Sequence, residues 1–106
     1  MRWYKHMWIS DSIKKKRWLV CKKIQYGKLQ PNIYVLTLAL NEDNLIDIYP
    51  SYILRQPYYK RQNLMIIGIA KGYDEAINLV KDMIEHIYKE TNSTNVRDYI
   101  MKEKGE

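Results

Sequence analysis

The sequence predicts an α+β fold, a single small domain over residues 1–106 in which a three- to four-stranded sheet packs against helices. Two observations predict it. Residues 64–70 form an unbroken apolar run, bounded by Asn63 and by Lys71-Gly72, as in a strand buried on both faces, and they lead through a single glycine into a segment of helical period. Upstream, residues 33–40 and 45–49 are two more strand-like runs, separated by the polar tetrapeptide Asn41-Glu42-Asp43-Asn44, which reads as a hairpin with a four-residue loop.

Taken in order, residues 1–9 place Trp3, Tyr4, Met7 and Trp8 at helical spacing, but the segment is short and aromatic enough to be an edge strand, and both readings stay open. Asp11 or Ser12 is positioned to cap a helix running to about Tyr26, with Ile13, Val20, Cys21 and Ile24 on one face and Gly27 just past its end. The rival is a strand over residues 18–21. Lys14, Lys15 and Lys16 weigh against the helix, since cations in a first turn oppose the helix dipole by about 0.3–1 kcal/mol each, yet length and terminal signals favour it.

Gly27 to Asn32, with Pro31, reads as a loop. The hairpin that follows would set Leu40 opposite Leu45 and Leu36 opposite Tyr49. Pro50 ends its second strand, and residues 51–56 leave room for one or two helical turns before Pro57. Gly68, inside the apolar run, marks a place where another backbone or a packed helix comes close.

The long helix would begin after Gly72 and bury Tyr73, Ala76, Ile77, Val80, Met83, Ile84 and Ile87. Glu75 stands where a capping-box carboxylate belongs, and Asp74 complements the positive end of the dipole. Thr91-Asn92-Ser93 breaks the helix, and Asn95 with Asp98 opens a terminal one that uses Val96, Tyr99 and Ile100 as its buried side.

With 46% hydrophobic and 28% charged residues the composition is globular. A single cysteine, Cys21, excludes an internal disulfide framework and suits a reducing compartment. No targeting segment is visible and the longest apolar run is eight residues, so the expectation is a cytoplasmic protein with no membrane partner. Charge is divided unevenly. Residues 1–61 carry twelve Lys/Arg against four Asp/Glu, a balance of +8, whereas residues 62–106 carry six against eight. Such a field favours anionic partners, although the abundance of Lys, Ile, Asn and Tyr also fits an AT-rich coding sequence.

No catalytic constellation stands out, and the expectation is a non-enzymatic protein with no cofactor. Gly68-Ile69-Ala70-Lys71-Gly72 feeds a helix as phosphate loops do, but it matches neither Gly-rich fingerprint, and Asp74 and Glu75 occupy the space an anion would take. His6, His86 and Cys21 form no pair at ligand spacing, and a zinc site needs at least three convergent ligands. Cys21 reads as a small core residue. The acids of residues 41–47 lack the glycine and the spacing of a calcium loop.

Two stretches have the chemistry of a nucleic-acid surface. Lys14, Lys15, Lys16, Arg17, Lys22, Lys23 and Lys28 cluster in the first quarter of the chain, each able to neutralise a phosphate. Tyr49-Pro50-Ser51-Tyr52, then Arg55, Tyr58, Tyr59, Lys60 and Arg61, interleave aromatics with cations as single-strand binding surfaces do. The bland counterpart is a solvated helix face and tyrosines covering a sheet edge with their hydroxyls in water.

The unit at residues 64–90, with Gly68-Ile69-Ala70-Lys71-Gly72-Tyr73-Asp74-Glu75-Ala76, resembles small uncharacterised proteins of low-GC Gram-positive bacteria. The resemblance covers about half the chain and implies a bacterial cytosolic setting, a mobile element included, with no activity attached. The functional expectation is therefore a small binding protein whose basic first half contacts nucleic acid. Its alternative is a protein-interaction or self-associating module, suggested by Trp3, Trp8 and two-faced strands with few helices to cover them.

Overall fold

The structure, a computed structural model, describes residues 1–39 and 45–104. Four strands, β1 (Arg2–Ile9), β2 (Ile33–Leu38), β3 (Ile46–Pro50) and β4 (Met65–Lys71), form one mixed sheet in the order β1-β4-β2-β3. β4 lies inside the sheet, parallel to β1 and antiparallel to β2, and its first six residues are buried. That burial on both faces is why its sequence is apolar without alternation. The α+β class is as the sequence predicts.

Helices cover both faces. Successive strand residues point to opposite sides, so Leu36, Leu38, Met65 and Ile67 pack against Ala76, Leu79, Met83 and Ile87 of α3 (Tyr73–Thr91) and Val96 and Ile100 of α4 (Val96–Lys104). On the other side Ile33, Val35, Ile66 and Ile69 meet Ile13 of a 3-10 turn (Asp11–Lys16), Val20 and Ile24 of α1 (Arg17–Gln25), and Leu54 of a second 3-10 turn (Ser51–Arg55). A short helix α2 (Pro57–Arg61) completes this second layer, with Pro57 in its first turn, where a missing N–H costs nothing.

Gly68 is the pivot of the sheet. A Cβ there would lie 2.8 Å from the Trp8 carbonyl oxygen and 2.7 Å from Leu36 Cδ1, so the close backbone approach read from the sequence comes from β1. The ladders shift register at the same place. Leu36 pairs with Gly68 and Thr37 with Ile66, leaving Ile67 unopposed, and on the other side Trp3 pairs with Ile66 and Trp8 with Gly68. This is a bulge, and it settles the ambiguity of residues 1–9. They form an edge strand in which Trp3-Tyr4 and Trp8-Ile9 each straddle the sheet while Lys5 and His6 bow outward. The helical spacing of the aromatics is the imprint of that bow.

The structure corrects several local expectations. Leu36 faces Ile48, not Tyr49, and Leu38 faces Ile46. This register sets aliphatic pairs together against α3 and puts Val35–Tyr49 and Thr37–Asp47 on the other face, which a slip of one residue would reverse. The hairpin turn and the Leu40–Leu45 pair involve residues outside those described. Pro50 is the last residue of β3, where an edge strand accepts a missing donor.

Residues 11–25 are helical, not a strand, but the three lysines sit in a 3-10 turn and the α-helix begins only at Arg17. Neither Asp11 nor Ser12 caps it. Asp11 pairs with Lys14 at 2.9 Å, and the Ser12 hydroxyl donates to Glu75 Oε1 at 2.7 Å. Glu75 thus makes no capping box, and the Gly72 N–H donates to the Asn32 carbonyl at 2.7 Å. In α3 the buried stripe is rotated from that expected. Leu79 is buried, while Tyr73 is 54% exposed and lies edge-on to Tyr34. α3 stops at Asn92, which has a left-handed φ of 57°, and Asn95 Oδ1 accepts the Asp98 N–H to open α4.

Candidate nucleic-acid interface

The two basic stretches, some twenty residues apart in sequence, lie in one layer. Ile13, Val20 and Ile24 bury one side of the first 3-10 turn and α1 against the sheet, which leaves Lys14, Lys15, Lys16, Arg17, Lys22 and Lys23 exposed on the other. Leu54 does the same for the second 3-10 turn, exposing Arg55, and Lys60 and Arg61 follow on α2. Lys28 is exposed in the loop after α1.

Polar ties hold the two stretches side by side. The Gln30 side-chain amide donates to the Val20 carbonyl at 3.3 Å, and the Ser51 hydroxyl donates to the Gln30 carbonyl at 3.2 Å. Gly27, with φ of 69°, turns the chain out of α1 beside Arg55, whose Cγ would stand 3.9 Å from a Cβ at that position. Residues 11–28 and 51–61 together carry ten Lys/Arg and one carboxylate, Asp11. Among the described residues of this layer, only Lys14 lies within ion-pair distance of a carboxylate. The opposite layer, residues 72–104, has five cations and seven carboxylates.

Aromatic side chains punctuate the basic layer. Tyr59 is wedged edge-on between Tyr49, at 5.3 Å, and Tyr58, at 5.0 Å. The Tyr49 hydroxyl donates to Asp47 Oδ2 at 3.1 Å. Burial, aided by that hydrogen bond, pushes the Tyr49 phenol up to about 12. Tyr49 and Tyr59 are therefore partly structural, and the freely presented aromatics are Tyr58, Tyr52, Tyr26 and Trp18, the last 66% exposed.

Trp18 and Tyr26 are the residues that sequence reading missed. The signal was available, because on a helical projection Trp18 falls away from the Val20 and Ile24 side and onto the flank of Lys22.

Two depressions open on this layer. A cleft of about 500 Å³ between the end of α1 and α2 has Ile24, Leu54 and Leu64 as its floor and Tyr26, Tyr59 and Lys60 at its sides. A groove of about 570 Å³ runs between α1 and the bowed part of β1, lined by Lys5, His6, Arg17, Trp18 and Cys21. Burial raises the Cys21 thiol, with the nearby Arg17 charge a smaller opposing influence, so the sulfur is held as a thiol at neutral pH.

The remaining candidates stay apart. His6 is on β1, whereas His86 on α3 pairs with Glu90 at 3.2 Å and meets the rings of Trp8 and Tyr99. Among the described residues no three His, Cys, Asp or Glu side chains converge as metal ligands, and no helix is long and apolar enough to cross a membrane. Trp3 and Trp8 are partly buried and pack onto the two cores. No protein-family model, curated protein or solved structure matches the chain.

Proposed function

We propose that this chain is a non-enzymatic nucleic-acid-binding protein whose basic layer, from the first 3-10 turn to α2, lies against a phosphate backbone. The observation that supports the reading is the charge of that layer, ten cations with a single carboxylate gathered on one side of a sheet whose other side is slightly acidic. Cations left unpaired by the protein's own carboxylates are available to replace the counterions of a polyanion, and release of those counterions drives binding. The exposed aromatics among them supply contacts that do not depend on sequence.

Anisotropy titrations of labelled single- and double-stranded oligonucleotides test the proposal. A surface engaging about six phosphates loses about a thousandfold in affinity between roughly 50 and 200 mM salt. Reversal of two of the exposed cations, Lys22→Glu with Lys23→Glu, is expected to weaken binding at least tenfold, while Lys81→Glu on α3 leaves it within about twofold. Absence of binding at low salt, or equal sensitivity to the α3 substitution, would overturn the proposal.

A further inference from the structure

We infer that the nucleic acid taken by the basic layer is single-stranded, with one base stacked on the Trp18 indole in the groove between α1 and β1. This rests on the nucleic-acid reading and narrows it. The chain has three tryptophans. Trp3 and Trp8 are packed against the cores, whereas Trp18 is 66% exposed on a helix whose buried side is already filled by Val20 and Ile24. Arg17, next to it on α1, and Lys5 of β1 line the same groove. An aromatic side chain is thus presented in a groove that also carries two cations.

The bow of β1 completes the geometry. Between Trp3 and Trp8 the strand leaves its ladder with β4, and Lys5 and His6 project into solvent as the wall opposite α1. The result is a depression of about 570 Å³ with Met7 and Ile9 contributing apolar surface. An occupant of matching chemistry carries spaced negative charges on a flexible backbone and flat aromatic groups free to leave it. A single strand has both, whereas a duplex keeps its base faces stacked internally.

Two other occupants fit less well. An anionic lipid surface is met by a projecting apolar ridge flanked by cations, but here the tryptophan borders a concavity. A second copy would bring two strongly basic layers together.

The experiment uses the full chain, its Trp18→Ala and Trp18→Phe variants, and three probes: a short oligothymidylate, a blunt duplex of mixed sequence, and phosphatidylserine–phosphatidylcholine vesicles. Oligothymidylate is expected to quench the indole emission. Trp18→Ala should weaken oligothymidylate binding about tenfold, the size of one base–aromatic stack. It should leave the unfolding midpoint and the duplex affinity unchanged, while Trp18→Phe retains most of the single-strand affinity.

If Trp18→Ala binds oligothymidylate as the wild type does, or the duplex binds as tightly as the single strand, the inference falls while the nucleic-acid reading stands. If neither nucleic acid binds at low salt, both fall. A blue shift of the Trp18 emission on vesicles, with no response to oligonucleotide, would assign the surface to a membrane instead.

Discussion

The two helical layers rest on the same sheet and are built on opposite principles. On one face α3 runs unbroken from Tyr73 to Thr91, with Ala76, Leu79, Met83 and Ile87 inward, and α4 closes its end through Val96 and Ile100. On the other face the covering is four short pieces, two of them 3-10 turns, whose inward residues are few and whose outward residues are cations and aromatics. A long helix with a continuous stripe obtains its stability from packing. Short pieces joined by turns sacrifice some of that, and in return set side chains from distant parts of the sequence next to one another. The first layer holds the sheet, and the second displays a surface.

If that division is real, substitutions in the two layers should have separable effects. The largest is expected from Ile87→Ala, which empties a fully buried site under α3. Urea unfolding should report a loss of about 2–5 kcal/mol, while the oligonucleotide affinity proposed above is unchanged in the folded variant, and a parallel loss of affinity would show that the layers are not independent.

Next comes the seam between them. Gly68→Ala forces a methyl against the Trp8 carbonyl oxygen and Leu36, of which the first is backbone and yields little. A loss of about 1–3 kcal/mol is expected, and an unchanged denaturation midpoint would mean that β1 can withdraw from β4 freely.

The smallest effect lies within the basic layer. Tyr49→Phe removes the hydrogen bond to Asp47 at a cost of about 1 kcal/mol near neutral pH. The Tyr49 phenol is raised from 10.0 to about 12 in the folded protein, so folding favours its protonated form. That contribution is complete below pH 10 and is lost as the pH rises through about 12. Stability measured across this window should fall more steeply for the wild type than for Tyr49→Phe. Coincident curves would dissociate Tyr49 from the alkaline loss.

The same contrast governs how much could be read from sequence. The unit β4–α3 was legible as strand and helix because its main signals are local: an apolar run, a glycine with a steric duty, and one wide stripe, although the stripe is rotated and Glu75 caps nothing. α4 was legible from Asn95 and Asp98 for the same reason. The hairpin was visible but its register was not, because Leu36 opposite Ile48 and Leu36 opposite Tyr49 differ by one residue and only burial on both faces distinguishes them.

The strand order was not legible, since β1 meets β4 through contacts separated by most of the chain. For the candidate surface, every cation was visible in the sequence, but their union depends on β4 lying between β1 and β2, which brings α1 and α2 onto one face. Trp18 escaped because a tryptophan beside Leu19, Val20 and Cys21 also fits the rival strand over residues 18–21, in which it belongs to one apolar run.

The parallel pairing of β1 with β4 has a consequence for the order in which the molecule is made. Arg2 pairs with Met65 and Ile9 with Ile69, so β1 is synthesised about sixty residues ahead of the strand it pairs with. The β2–β3 hairpin can zip locally, whereas closing β1 onto β4 carries the entropy of a long loop. Lys14 to Lys28 hang within that loop, and before β4 arrives Ile13, Val20 and Ile24 have only Ile33 and Val35 of β2 to rest on, without Ile66 and Ile69. The residues of the basic surface are translated before β4, and their assembly awaits that strand, the last of the four described.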